Sequence, residues 1–213
     1  MAKRISLGSA VFALAAFAAC TEPTDASSDT ESAVIAEAAG PWTLSTDASA
    51  LTYLSIKSGN VAEINTFGEL SGTVSEEGSA EISINLNSVN TNVDIRNERM
   101  RNVFFETETY PTATARTTLD MDQFSALEVG NSVTVPVRFE IDLHGETASY
   151  DIDASVTRLG VNKVGVDNTA PLILYPEDFN LIDGLGQLQS LAGLDSITPI
   201  VPINVSFVFE RTG

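Results

Sequence analysis

From Pro41 onward the chain is written in period two. Val133, Val135, Val137, Phe139, Ile141 and Leu143 share one face of a segment whose other face carries Thr134, Arg138, Glu140 and Asp142. The next segment sets Tyr150, Ile152, Ala154 and Val156 against Asp151, Asp153 and Thr157, with His144-Gly145-Glu146 as the turn between them. Val201, Ile203, Val205, Phe207 and Phe209 repeat the pattern near the C-terminus, as do Ile82, Ile84 and Leu86, and Ala113, Ala115, Thr117 and Leu119; Trp42 to Ser45 and Leu51 to Lys57 start the series. Successive side chains of a strand point to opposite faces, so each segment predicts a strand with one buried side. About eight such strands joined in hairpins predict an all-β fold, an antiparallel eight-stranded barrel whose closure removes exposed edges. Pro136 inside one strand predicts a bulge or an edge position. An edge left open there could pair between chains, and the pattern leaves both a homodimer and a monomer open.

Two stretches break the alternation and predict short helical insertions. Arg96 to Phe105 can make about two helical turns, with Met100, Val103 and Phe104 at the i, i+3, i+4 spacing of one apolar face. Tyr110-Pro111 then enforces an extended backbone before the next strand. Leu181, Leu185, Leu188 and Leu191 recur at helical spacing within 181–194 despite three glycines, which weaken the helix. That insertion could cover a barrel mouth or pack outside it.

The first 40 residues read differently. Lys3 and Arg4 precede the apolar run Val11 to Phe17 and small residues lead to the single cysteine, Cys20. This is the pattern of a signal peptide over 1–19, too short to span a bilayer. Phe17-Ala-Ala-Cys20 resembles a bacterial lipobox, which makes Cys20 the lipidated first residue of the mature chain, and Thr21 after it implies the outer membrane. Residues 20–40 then form an acidic tether without aromatic residues, expected to be disordered, and 41–213 form one domain. The expectation is an exported, outer-membrane-anchored lipoprotein facing the periplasm. The formal charge of −18 excludes nucleic acid, whose phosphates such a surface repels. Only two of the eleven basic residues lie in the leader and none follows it closely, so the acyl chains alone must hold the membrane.

Catalysis finds little to work with. His144 is the only histidine and sits in a hairpin turn; it can be a turn residue or, less readily, a general base. No nucleophile elbow accompanies it. With no histidine cluster and no cysteine in the domain, no metal site is expected. Asp120, Asp122, Asp151 and Asp153 read as solvated carboxylates, since no calcium loop surrounds them. The chain is therefore expected to be a binder, not an enzyme, and to require no cofactor.

Several motifs in order narrow the fold further: Ser88-Val89-Asn90-Thr91, Arg96-Asn97-Glu98-Arg99-Met100, Phe104-Phe105, Tyr110-Pro111 and Leu143-His144-Gly145-Glu146-Thr147. Together they resemble the YceI-like family of lipocalin-shaped periplasmic proteins, over roughly residues 41 to 211. Asn97 stands where the family usually has aspartate, and Ser58 where it often has histidine, so no role carries over to those two positions. The resemblance implies a lipocalin-like barrel holding an apolar or amphiphilic lipid, a polyprenyl chain or an isoprenoid quinone, for transport, storage or sequestration in the cell envelope. The residues expected to line the site are Phe104, Phe105, Val137, Phe139, Ile152, Phe207 and Phe209. Arg96 matches the family's arginine and has two physical options, a donor to a ligand headgroup or an ion pair tying the loop to the barrel. The aromatic positions are equally two-sided: an eight-stranded barrel can hold one ligand or fill its interior with side chains. A filled barrel would instead serve as an interaction or scaffold module.

Overall fold

The computed structural model describes residues 40–211. Within them the alternating segments form eight antiparallel staves in a closed meander. The first stave is β1 (Trp42–Leu44) and β2 (Ala50–Lys57), interrupted by a single turn at Thr46–Ala48. The second is β3 (Val61–Phe67) and β4 (Leu70–Val74); the third is β5 (Ser79–Asn85) and β6 (Val89–Asn90). Then follow β7 (Thr112–Thr118), β8 (Ser132–Leu143) and β9 (Glu146–Gly160), the pair β10 (Lys163–Asn168) and β11 (Leu172–Leu174), and β12 (Val201–Glu210). β12 closes the ring on the first stave, with Glu210 opposite Thr43 and Val205 opposite Leu51. The eight-stranded antiparallel barrel predicted from the alternation is therefore the fold.

The β8–β9 hairpin sets the inward register. Phe139 faces Tyr150 and Val137 faces Ile152, so the apolar set of each strand falls on the same side. Its two-residue turn has positive φ at both His144 (55°) and Gly145 (83°), the backbone that matches the twist of the flanking strands. Pro136 lies in the half of β8 with no ladder to β7, since those strands pair only at Thr114 to Arg116. That is an edge setting, as the missing N–H requires. The Thr117 hydroxyl bridges the splayed strands by donating to the Arg138 carbonyl at 2.7 Å.

A second turn gives a stability prediction. Gly78 has φ of 90°, and a Cβ there would lie 2.0 Å from the Leu119 carbonyl oxygen, whose own N–H donates to the Gly78 carbonyl at 2.8 Å. Gly78→Ala should therefore cost at least about 1–3 kcal/mol of strain. Urea unfolding checks this as a lower midpoint with an unchanged m value.

One end of the barrel is plugged. Helix α1 (Asp94–Arg99) runs into a π-helical turn over Met100–Phe104, in which the Phe105 N–H reaches back to the Met100 carbonyl at 2.8 Å. The expected apolar face of Met100, Val103 and Phe104 is altered by this wider turn: Met100, Phe104 and Phe105 are buried and Val103 only partly so. The predicted 181–194 insertion folds as helix α2 (Ile182–Ala192) and packs on that turn. At Gly184 a Cβ would come within 3.2 Å of the Val103 carbonyl oxygen, so the glycine permits the close approach. Leu181 and Leu188 are buried and Leu185 packs against the core, whereas Leu191, expected on the same face, is exposed in the last turn of the helix, just before its cap at Gly193. Of the two options for this insertion, the structure shows a helix over the plug, at the end away from the open rim described below.

Candidate ligand cavity

The inward faces do not meet at the barrel axis. They enclose a cavity of about 580 Å³, within the range of roughly 300–1,000 Å³ typical of small-molecule sites. Its blind end is formed by Leu86, Met100, Phe104, Phe105, Leu143, Leu174 and Leu181. Ile82, Ala115, Val137, Phe139, Ile152, Val166 and Val205 line the middle, and Phe207 and Phe209 follow towards the rim. The rim carries Trp42, Val74, Leu119, Met121, Phe124 and Leu127, together with Glu76, Arg158 and Arg211. Medium-sized and small inward residues leave the space: Ala80, Ala113, Ala115 and Ala154 all face it. Side chains therefore do not fill this barrel, contrary to the filled-interior option.

Polar groups are sparse along the wall. The Tyr53 hydroxyl, buried near the blind end, makes no hydrogen bond among the described residues. Burial holds its ionisation well above the usual tyrosine range, partly offset by the nearby Arg96 charge. Tyr150 is likewise pushed up, first by burial and then by donating its proton to Asp178 at 2.7 Å. Both phenols stay neutral at physiological pH, and of the two Tyr53 lines the cavity, so it presents a guest with an uncharged hydroxyl.

The sequence profile of the YceI-like domain family matches residues 42–209. The chain belongs to that family. A polyisoprenoid binding domain from Saccharophagus degradans, implicated in plant cell wall breakdown, superposes with a TM-score of 0.79 at 37% identity, covering 80% of this chain and 98% of that one. Burkholderia cenocepacia BcnA shares the fold with a TM-score of 0.60 at 20% identity, covering 78% and 98% of the two chains. The Campylobacter jejuni YCEI protein does so with a TM-score of 0.52 at 14% identity, over 70% and 85%. No curated protein matches the chain in sequence.

In this YceI-like barrel, Phe104, Phe105, Val137, Phe139, Ile152, Phe207 and Phe209 all reach the cavity, whereas Arg96 does not. Its guanidinium donates to Glu63 at 2.7 Å and to the Thr91 carbonyl. Lys57 meets the same carboxylate at 2.9 Å. Arg96 is thus a clamp between α1 and β3, the structural option of the two. Asn97, at the family's aspartate position, accepts from the Thr91 N–H and hydroxyl at 2.8 and 2.6 Å and fastens the same loop.

The Glu63 carboxyl is held below its ordinary value, first by Lys57 and also by the Arg96 charge, against a desolvation penalty. A lowered folded-state value contributes stability above the unfolded value and loses it as pH falls through the folded one. Arg96→Gln should therefore lower stability by about 1–2 kcal/mol at neutral pH, and the deficit should shrink in acid. Denaturant unfolding at neutral and acidic pH measures it; an unchanged neutral stability together with lost ligand binding would reverse the assignment.

His144 sits at the plugged end. Its Nε2 lies 2.9 Å from Glu106 Oε2 and its ring centroid 4.4 Å from that of Tyr110. It braces the hairpin turn against the loop after the π turn and stands outside the cavity wall. Two rim residues that sequence reading passed over, Arg158 and Arg211, continue the inward parity of Val156 on β9 and Phe209 on β12. Extending the period-two count by one step past the last apolar residue of each strand would have found them.

Proposed function

We propose that the barrel binds a polyisoprenoid chain, alone or as the tail of an isoprenoid quinone, laid along its axis. The observation that carries this is the continuous apolar cavity, plugged at one end and reaching the rim at the other. The 37% identity to a polyisoprenoid binding domain points to the same ligand class. The driving force is apolar burial, about 0.8 kcal/mol for each methylene removed from water. His144 lies outside the cavity and its ring is partnered by Glu106, with no nucleophile hydrogen-bonded to it among the described residues, which supports binding without turnover. Transport, storage or sequestration in the cell envelope suits such a binder. Lipidation at Cys20, which lies outside the described residues along with the leader and most of the tether, would hold the barrel to the outer membrane on its periplasmic side. Gly40, the last residue assigned to the tether, already docks on the barrel through its N–H to Glu76 at 2.8 Å.

Trp42, the chain's single tryptophan, stands at the cavity rim and reports on occupancy. Titration with a short-chain isoprenoid quinone should quench its fluorescence saturably, reaching one equivalent per chain. Linear, non-saturating quenching equal to that of free tryptophan would remove the proposal.

A further inference from the structure

We propose that residues 120–129 form a hinged flap over a side slot in the barrel wall, between β7 and β8, and that the guest chain enters and leaves by this slot. The inference rests on the reading of the cavity as a lipid site and adds the route by which that site is filled.

The wall is incomplete at one seam. β8 pairs with β9 from Ser132 to Leu143, and β7 pairs with β5 from Thr112 to Thr118, but β7 and β8 pair with each other only at Thr114, Ala115 and Arg116. The sequence keeps the seam open. The Arg138 carbonyl turns towards β7, where it accepts the Thr117 hydroxyl at 2.7 Å, and backbone groups two residues apart on a strand point to the same edge. Pro136 therefore stands on that edge with no N–H to give, so a continued ladder would lack a donor there.

The segment that covers the gap is fastened at its two ends. The Leu119 N–H donates to the Gly78 carbonyl and the Gly130 N–H to the Arg158 carbonyl, each at 2.8 Å. Between these points, among the described residues, the segment's hydrogen bonds close on the segment itself. The N–H groups of Gln123, Ser125 and Leu127 donate to the carbonyls of Asp120, Asp122 and Phe124, the Ser125 hydroxyl donates to the Asp122 carbonyl, and the Asp120 carboxylate accepts from the Asp122 N–H and the Gln123 amide. What holds the segment against the barrel is apolar contact. Met121 packs on the cluster that contains Trp42 and Val74, while Phe124 and Leu127 pack on Val135, Ala154 and Val156. All three side chains reach the cavity.

Apolar contact is non-directional, so the flap can lift about its two hinges with its internal turns intact. The methyl and methylene groups of a guest replace the contacts that the flap gives up, which couples opening to the arrival of an apolar chain. A side slot also suits a long flexible guest, which is laid in along its length instead of being threaded end-on.

The test locks the flap. In the mature chain with C20S, the substitutions A126C and T134C put one thiol on the flap and one on the outer face of β8, at exposed positions away from the cavity wall, and a short bismaleimide joins them. Stopped-flow quenching of Trp42 by a short-chain isoprenoid quinone reads the rates. Joining the thiols should slow association and release alike, by about tenfold, and leave the dissociation constant nearly unchanged, because a gate acts on both rates. The same protein with both thiols capped separately by N-ethylmaleimide should keep the native rates. A second variant, with residues 121–128 replaced by a short glycine linker, needs no cross-link and should release the quinone several-fold faster than the native protein. Native rates in the joined protein, or native release from the glycine variant, would overturn the flap and leave the cavity reading standing. An absence of saturable quenching in the native protein would remove the two together.

Discussion

A phenyl ring placed at Ala115 should block isoprenoid binding while leaving the barrel folded. Ala115 lies on β7 between Ile82 of β5 and Ile141 of β8, at mid-height on the inward face. In a filled core the extra carbons would force neighbours off their rotamers and cost about 1–3 kcal/mol. Here they enter empty space, so Ala115→Phe should change stability little and could raise it. The chain of a polyisoprenoid must pass the same point, and its affinity should fall by more than about tenfold, some 1.4 kcal/mol. Ser149→Phe adds the same ring to the outer face of β9 and should leave binding as it is. Parallel titrations and thermal melts of the three proteins check this, and equal binding by the Ala115 variant would place the ligand elsewhere.

The largest stability effect is expected at the plug. Phe104 is buried, stacks edge-on to Phe105 with centroids 4.9 Å apart, and touches the backbone approach at Gly184. It is packed from the π turn, from α2 and from the barrel wall. Phe104→Ala should cost about 3–5 kcal/mol, the usual penalty for removing a phenyl ring from a close-packed site. Phe139 makes a useful contrast, because it lines the open middle of the cavity and is only partly buried. One side of its ring already lacks partner atoms, so Phe139→Ala should cost only about 1–2 kcal/mol. Chemical denaturation of the pair measures the difference; equal penalties would mean that the middle of the barrel is packed as tightly as the plug.

The strands and their faces were readable because burial on one side of a closed sheet imposes strict alternation, and no other element of this chain mimics it. The hairpin at His144-Gly145 and the edge character of Pro136 follow from the same local chemistry. The helical insertions were readable as helices but not in detail. The π turn adds a residue to the cycle, which brings Phe105 into the core beside Phe104 in a way that a 3.6-residue count does not anticipate. The fate of Leu191 depends on where α2 leaves the plug, which is a matter of tertiary contact.

The cavity itself was not legible, because the same inward Phe, Val and Ala residues suit a filled barrel and a hollow one. Volume decides between them, and volume depends on how eight staves are spaced. Arg96 shows the same limit from the other side. Its residue type allowed a headgroup contact or an ion pair, and only the position of Glu63, 33 residues earlier on β3, settles where its guanidinium goes. Arg158 and Arg211 lie on the inward face one step beyond Val156 and Phe209, where the apolar signal that marks that face has ended.

Native mass spectrometry of the mature protein, exported to a bacterial periplasm, purified without detergent and followed by organic extraction, tests the central claim most directly. The predicted result is a stoichiometric apolar adduct that extracts as an isoprenoid and is absent from the Ala115→Phe variant. A clean apo mass that persists after incubation with isoprenoid quinones and polyprenols would contradict the account and favour an interaction module.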